Sequence, residues 1–217
     1  MSFKQLEEVL ARHRLVPVVV IEEPEKAVDL AGALVEAGLR VMEITFRTPA
    51  AAAALRRVVE ECPEMLAGAG TLLNGEQVKR AVDAGAAFGL APGLEETTVG
   101  VAESVGLPFI PGVMTPGEVQ RGLSLGCLLQ KFFPAELAGG APLLKALEGP
   151  YGHTGVRFIP TGGLNASNAA GYLGLKAVAA LGGSWFVDAK LTAAGDWAAI
   201  TRLTREALAI TCGESLK

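Results

Sequence analysis

Cysteine is the first shortage. The three present, Cys62, Cys127 and Cys212, are odd in number and far apart. They make neither a disulfide framework nor a zinc-binding pattern, so a reducing cytoplasm is the expected setting. Histidine is scarcer still. His13 and His153 are distant in sequence and each lies among polar residues. A histidine metal site or a serine–histidine triad therefore has little to build on. Positive charge is also short, with a formal net charge of −4. Nothing resembles a basic patch, so nucleic acid is not an expected partner. Long apolar runs are missing too. No stretch is long enough to span a bilayer, so no membrane is expected as a partner, and Met1 to Arg14 is polar and reads as a helix rather than a signal peptide. Aromatics are only 6% of the residues, so smaller aliphatic side chains have to fill the core.

Those aliphatics are plentiful, since half of the 217 residues are hydrophobic. No linker, low-complexity tract or charge block divides the chain, and residues 1–217 read as one domain. Short apolar runs alternate with helical spacing throughout. Strands are expected at Leu15 to Ile21, Arg40 to Phe46, Met65 to Thr71, Ala87 to Ala91, Leu107 to Ile110, around Lys131, Val156 to Pro160, and Ala177 to Leu181. Helices are expected from Pro24 to Gly38, after a Thr48 cap with Pro49 in the first turn, from Asn74 to Gly85, from Glu95 to Val105, after Thr115, over Pro142 to Leu147, from Asn165 to Leu173 and from Trp197 to Ile210. Asn74-Gly75-Glu76-Gln77 resembles a capping box, and Thr115-Pro116-Gly117-Glu118 is a strong helix start. Eight strands joined by helices mean parallel pairing with right-handed crossovers. In about 200 residues that predicts an α/β fold, a closed (β/α)8 TIM barrel with an extra N-terminal helix. The alternative is an open doubly wound sheet, but no Gly-x-Gly-x-x-Gly follows the first strand.

One strand carries a residue that does not suit it. Leu128-Leu129-Gln130-Lys131-Phe132-Phe133-Pro134 is apolar except at its centre. Taking an ammonium out of water is costly, and a buried lysine can escape by shedding its proton. A neutral lysine between apolar walls is a nucleophile fit to attack a ketone. The alternative is a lysine that pairs with a carboxylate or reaches solvent from the strand end. Chemistry in a barrel collects at the C-terminal ends of the strands. There Glu43 shares a strand face with Val41 and Thr45, as a general base or as a partner for a cation. Arg47 follows that strand, able to grip a carboxylate or simply solvated. Thr71 ends the third strand, either as a local hydrogen-bonding group or as one that orients a ligand. Thr161-Gly162-Gly163 and Gly182-Gly183-Ser184 follow the last two strands, where barrels hold phosphate. A lysine, one carboxylate, an arginine and a phosphate cradle fit retro-aldol chemistry through an imine. A phosphosugar isomerase or epimerase would need two opposed acid–base groups or a metal. A non-catalytic barrel binding a phosphorylated ligand would use Lys131 only as a charge.

Together these segments resemble a known family. Val41-Met42-Glu43-Ile44-Thr45-Phe46-Arg47-Thr48, Gly68-Ala69-Gly70-Thr71, Lys131-Phe132-Phe133-Pro134-Ala135-Glu136, Pro160-Thr161-Gly162-Gly163 and Gly182-Gly183-Ser184-Trp185 look like the motifs of the 2-keto-3-deoxy-6-phosphogluconate (KDPG) and 4-hydroxy-2-oxoglutarate (KHG) aldolases. The likeness runs from about Leu15 to Ala209, in order and with matching spacing. It implies a class I aldolase on a (β/α)8 barrel, with no metal or other cofactor and with a covalent imine at the lysine. It also implies pyruvate and a small phosphorylated keto acid as ligands, a homotrimer, and a place in Entner–Doudoroff carbohydrate metabolism. By motif, Lys131 would be the Schiff-base lysine and Glu43 the proton shuttle. Arg47 and Thr71 would hold the pyruvate carboxylate. Pro92, Phe133 and Thr161 would line the pyruvyl pocket, and Gly162, Gly163, Gly183 and Ser184 would bind the distal phosphate. Gln130 departs from the aromatic or aliphatic residue that often precedes the lysine. By alternation it points away from the pocket, so the departure concerns packing.

Overall fold

The computed structural model describes residues 3–212. Met1 and Ser2 of the expected first helix, and the last five positions of the expected domain, lie outside them. The fold is α/β with parallel strands throughout. An extra helix, α1 (Phe3–His13), buries Leu6 and Leu10 ahead of the first βα unit. The strands are β1 (Leu15–Val19), β2 (Val41–Thr45), β3 (Leu66–Gly70), β4 (Gly89–Leu90), β5 (Phe109–Ile110), β6 (Gly112–Val113), β7 (Leu129–Phe132), β8 (Arg157–Pro160) and β9 (Leu181–Gly183). Helices α2 (Glu25–Glu36), α3 (Ala51–Glu61), α4 (Gly75–Asp83), α5 (Glu96–Ser104), α6 (Pro116–Ser124), α7 (Gly140–Tyr151), α8 (Ala169–Leu173), α9 (Ala189–Ala194) and α10 (Trp197–Cys212) separate or follow them.

The uninterrupted ladder of eight strands expected from the sequence is not what forms. The ladders make two arcs, one of six strands in the order β5-β4-β3-β2-β1-β9 and one of three in the order β6-β7-β8. The fifth expected strand, Leu107 to Ile110, stops at Pro111 as β5, which pairs with β4, and an unexpected short strand, β6, resumes beyond the proline and pairs with β7. Proline has no N–H to give to a ladder, yet its carbonyl still accepts from the Lys131 amide at 2.8 Å. At the other side, among the described residues, the arcs pair through isolated bridges, Phe158 to Val178 and Thr161 to Gly182. The last strand also starts later than expected. Ala177 to Ala180 are buried, and the ladder begins at Leu181, where β1 is within reach.

Helix starts follow their caps. Asn74 accepts from the Gln77 amide at 2.9 Å, and Thr115 and Glu118 close a reciprocal capping box. Thr48 is different. Its hydroxyl donates to the Ile21 carbonyl at 2.6 Å, tying the exit of β2 to that of β1, and α3 begins at Ala51 without a side-chain cap. The helix expected from Asn165 forms only from Ala169. Asn165 and Asn168 spend their side chains on turn bonds, which compete with helix. Helix α7 is longer than expected, because Pro150 falls in its last turn and breaks little. The core is aliphatic, with Phe88, Phe132, Phe158, Phe186 and Tyr172 among the largest fully buried side chains.

Candidate active site

Strands β2 and β7 belong to different arcs, yet their centres meet. Lys131 is 4% exposed and Glu43 is 1% exposed. Lys131 Nζ donates to Glu43 Oε1 at 3.1 Å and approaches Oε2 at 3.5 Å. Glu43 lies level with Val18 of β1 and Gly68 of β3, and Lys131 lies level with Gly112 and Ile159. Both long side chains project inward, and their ends close the gap between the arcs. Space for the carboxylate comes from Gly70. A Cβ at that position would fall on the Glu43 carboxylate, so any side chain there would push the carboxylate from its place. Such a pair is stable as a unit, because removing one partner strands a buried charge.

Of the remaining expected residues, Phe133 lies against this pair. The Phe133 ring centroid lies 5.7 Å from Lys131 Nζ and gives the site one apolar wall. Thr161 is buried, its amide bonded to the Phe132 carbonyl at 2.9 Å and its hydroxyl turned to the Ile159 carbonyl at 3.3 Å. Gly162 and Gly163 follow with φ of 101° and 79°, a turn that L side chains rarely adopt. Gly183 ends β9, and Ser184 stands exposed just beyond it. Pro92 shares a cleft of about 130 Å³ with Leu72, Leu94 and Phe109 at the end of β4. Thr71 has φ of 58°, a left-handed conformation that is costly for a β-branched residue. Such strain concentrates at ligand-handling sites. Arg47 is exposed at the mouth. Its Nε donates to the Thr45 hydroxyl at 3.2 Å, and that hydroxyl donates to the Val19 carbonyl at 2.8 Å. The Arg47 terminal amino groups are then left to meet an anion. Among the described residues no hydrogen bond joins Arg47, Thr71 or Ser184 to the Lys131–Glu43 pair.

Three residues that matter here were not singled out from the sequence. Gly70 was visible only as part of Gly68-Ala69-Gly70. Its alternation with Gly68 on one strand face was the available signal. Thr45 shares a face with Glu43, which was read, but its grip on Arg47 depends on a side-chain conformation. The third, Tyr172, donates to the Glu136 carboxylate across a separation of 36 residues, and no local pattern announces it. Gln130 behaves as its alternation required. It points outward, and its amide nitrogen donates to Val119 and Cys127 carbonyls at 3.2 and 2.9 Å.

Wider clefts of about 430 and 630 Å³ lie elsewhere, one at the start of β8 beside Arg157 and Lys176, the other between α2 and α10. Neither contains Lys131 or Glu43. Chemistry rather than the size of the hollow locates the site. Among the described residues no group of three or more His, Cys, Asp or Glu side chains is placed to hold a metal ion. No described helix is long and apolar enough to cross a membrane.

Comparison with known proteins gives a consistent result. The family profile for KDPG and KHG aldolase matches residues 6–203. The KHG/KDPG aldolase of Escherichia coli strain K12 is 45% identical over 202 residues, covering 93% of this chain and 94% of its own length. The KDPG aldolase of Legionella pneumophila, solved with pyruvate captured at low pH as a covalent carbinolamine intermediate, superposes with a TM-score of 0.88 at 41% identity, covering 92% of this chain and 96% of its own. The Zymomonas mobilis ZM4 KDPG aldolase, solved with 3-phosphoglycerate, also gives a TM-score of 0.88, at 38% identity and with 96% and 97% coverage.

Proposed function

The chain belongs to the KDPG and KHG aldolase family, and on that premise we propose that Lys131 is its Schiff-base nucleophile and Glu43 its proton shuttle. The enzyme is a lyase, a class I aldolase working through a covalent imine. It cleaves 2-keto-3-deoxy-6-phosphogluconate to pyruvate and glyceraldehyde 3-phosphate, 4-hydroxy-2-oxoglutarate to pyruvate and glyoxylate, or both. The observation that carries the residue assignment is the buried contact of 3.1 Å between Lys131 Nζ and Glu43 Oε1. That distance is within reach for proton transfer.

The steps follow from this pair. The free amine of Lys131 adds to the C2 ketone, and Glu43 moves a proton so that the carbinolamine loses water to an iminium. Glu43 then takes the proton of the C4 hydroxyl. The C3–C4 bond breaks, its electrons pass into the iminium to give an enamine, and the aldehyde leaves. The protonated Glu43 returns its proton to C3, and water releases pyruvate from Lys131. The iminium itself is the electron sink, so no cofactor is required. Arg47, aimed by Thr45, and Thr71 hold the pyruvate carboxylate. Pro92, Phe133 and Thr161 line the pyruvyl pocket. The amides at Gly162, Gly163 and Gly183, with the Ser184 hydroxyl, receive the distal phosphate. The positive φ values at the glycine turn and the exposed position of Ser184 support that reading.

We also take residues 1–217 as one domain and the two arcs as one (β/α)8 barrel, supported by the isolated bridges between the β8 and β9 segments and by the continuity of chain through Pro111. Assembly as a homotrimer is supported by the family resemblance and by exposed apolar side chains, Leu73, Met114 and Leu137, in the loops after β3, β6 and β7. The three free cysteines support a cytoplasmic setting, and the keto-acid chemistry supports a place in Entner–Doudoroff carbohydrate metabolism.

Intact-mass spectrometry after incubation with pyruvate and sodium borohydride tests the assignment. A single reduced pyruvyl adduct is expected on the peptide containing Lys131, and Lys131→Ala is expected to form none and to have no turnover while keeping its circular dichroism spectrum. An adduct mapped to another lysine, or turnover of Lys131→Ala near that of the wild type, would overturn it.

A further inference from the structure

The loop after β7 holds a carboxylate where the proposed phosphate cradle does not want one. The Glu136 amide donates to the Gly162 carbonyl at 3.1 Å, next to a bond of 2.8 Å from the Ala135 amide to the Thr161 carbonyl. A Cβ at Gly163 would lie 2.8 Å from Glu136 Cβ and Cγ, so the stem of Glu136 lies against that glycine. Asn168 holds the Gly163 carbonyl from the other side at 3.1 Å. The Glu136 residue is exposed, yet its carboxylate is not loose. It accepts a hydrogen bond from the Tyr172 hydroxyl. Tyr172 is 1% exposed and fixed in the core by its ring. Burial, and then the bond to Glu136, push its phenol above the ordinary range, so it stays a donor even in alkaline solution.

A free carboxylate beside the Gly162–Gly163 turn would repel a phosphate dianion and compete for the same amides. From this geometry we propose that Tyr172 determines specificity toward phosphorylated substrates, by holding the Glu136 carboxylate away from the glycine turn. Tyr172 is a positioning residue and touches no reacting atom. The inference rests on the phosphate cradle assigned above.

The test compares Michaelis constants for KDPG and for 4-hydroxy-2-oxoglutarate, which has no phosphate. Tyr172→Phe keeps the ring and loses the donor. It should raise KM for KDPG roughly 3- to 10-fold, the scale of one charge acting on an anion through water, and the rise should shrink in high salt. Both kcat and KM for 4-hydroxy-2-oxoglutarate should be unchanged, which also reports an intact fold. Adding Glu136→Gln to Tyr172→Phe should restore KM for KDPG. A merely structural role would weaken both substrates together and would not be rescued by removing a charge. Unchanged KM for KDPG, an equal loss on both substrates, or no rescue would overturn the proposal. Ser184→Glu separates this from failure of the cradle itself. A selective loss on KDPG upholds the cradle and leaves the Tyr172 result to stand or fall alone. Equal losses on both substrates would remove the cradle and the proposal with it.

Discussion

The α-carbon of Gly70 faces the Glu43 carboxylate with nothing between them. A methyl there forces the carboxylate aside, and Lys131 loses its proton acceptor. Gly70→Ala should therefore lower kcat by about 10²-fold, since misplacement by an ångström is enough for a loss of that order. Glu43→Gln keeps the shape and removes the proposed base, and should cost about 10²- to 10⁴-fold. Steady-state kinetics on both variants, with circular dichroism for the fold, make the check. A Gly70→Ala enzyme as fast as wild type would show that Glu43 need not sit where it does. At this scale the charged residues were legible in the sequence. A lysine in an apolar strand and a carboxylate on an inward face are conspicuous because burial of charge is costly. Gly70 was not legible, because its contribution is a missing atom whose neighbour lies on another strand. Tyr172 and Glu136 escaped for a related reason. Their contact is made by the packing of α8 against the loop after β7.

Elements were legible where a local side chain decides them. Asn74 and Thr115 start α4 and α6 as their sequences require. Glu95 caps α5, accepting from the Thr98 hydroxyl and from the amides of Thr97 and Thr98. Those bonds hold its carboxyl down to about 2, against an ordinary value of 4.5. A depressed carboxyl stabilises the fold above its unfolded value, and that stabilisation is lost as pH falls from there through the folded value. Wild type should therefore melt higher than Glu95→Gln near neutral pH. The gap should close as pH approaches about 2, in thermal circular dichroism scans of the two proteins side by side. A gap independent of pH would show that the charge contributes nothing to the cap. Elements were less legible where side chains had competing uses. Thr48 reads as a cap but its hydroxyl reaches the Ile21 carbonyl just past β1. Asn165 and Asn168 read as helix and fold as turn. Helix α9 has six residues, too few to display a period, and was not expected at all.

For the whole molecule, the order of βα units came through from the sequence because hydrophobic period and turn residues repeat along the chain. The break in the ladder did not. The expected fifth strand stops at Ile110, and the resumption at Gly112 depends on a neighbour, β7, that only the folded chain supplies. Glu43 and Lys131 were each legible as inward-facing charges, and their hydrogen bond across the two arcs is what the folded chain adds. Assembly belongs to this scale as well. Light scattering should give three times the mass of one chain, and a value equal to one chain would rule out the trimer in solution.

The seam at Pro111 has one more consequence. It divides the chain between Glu43, on the N-terminal side, and Lys131, on the C-terminal side, while their hydrogen bond crosses from one arc to the other. On the proposed roles, a chain cut near that proline would become two polypeptides, each carrying one member of the pair and neither expected to turn over alone. Release of pyruvate would then report their reunion, as in a split reporter.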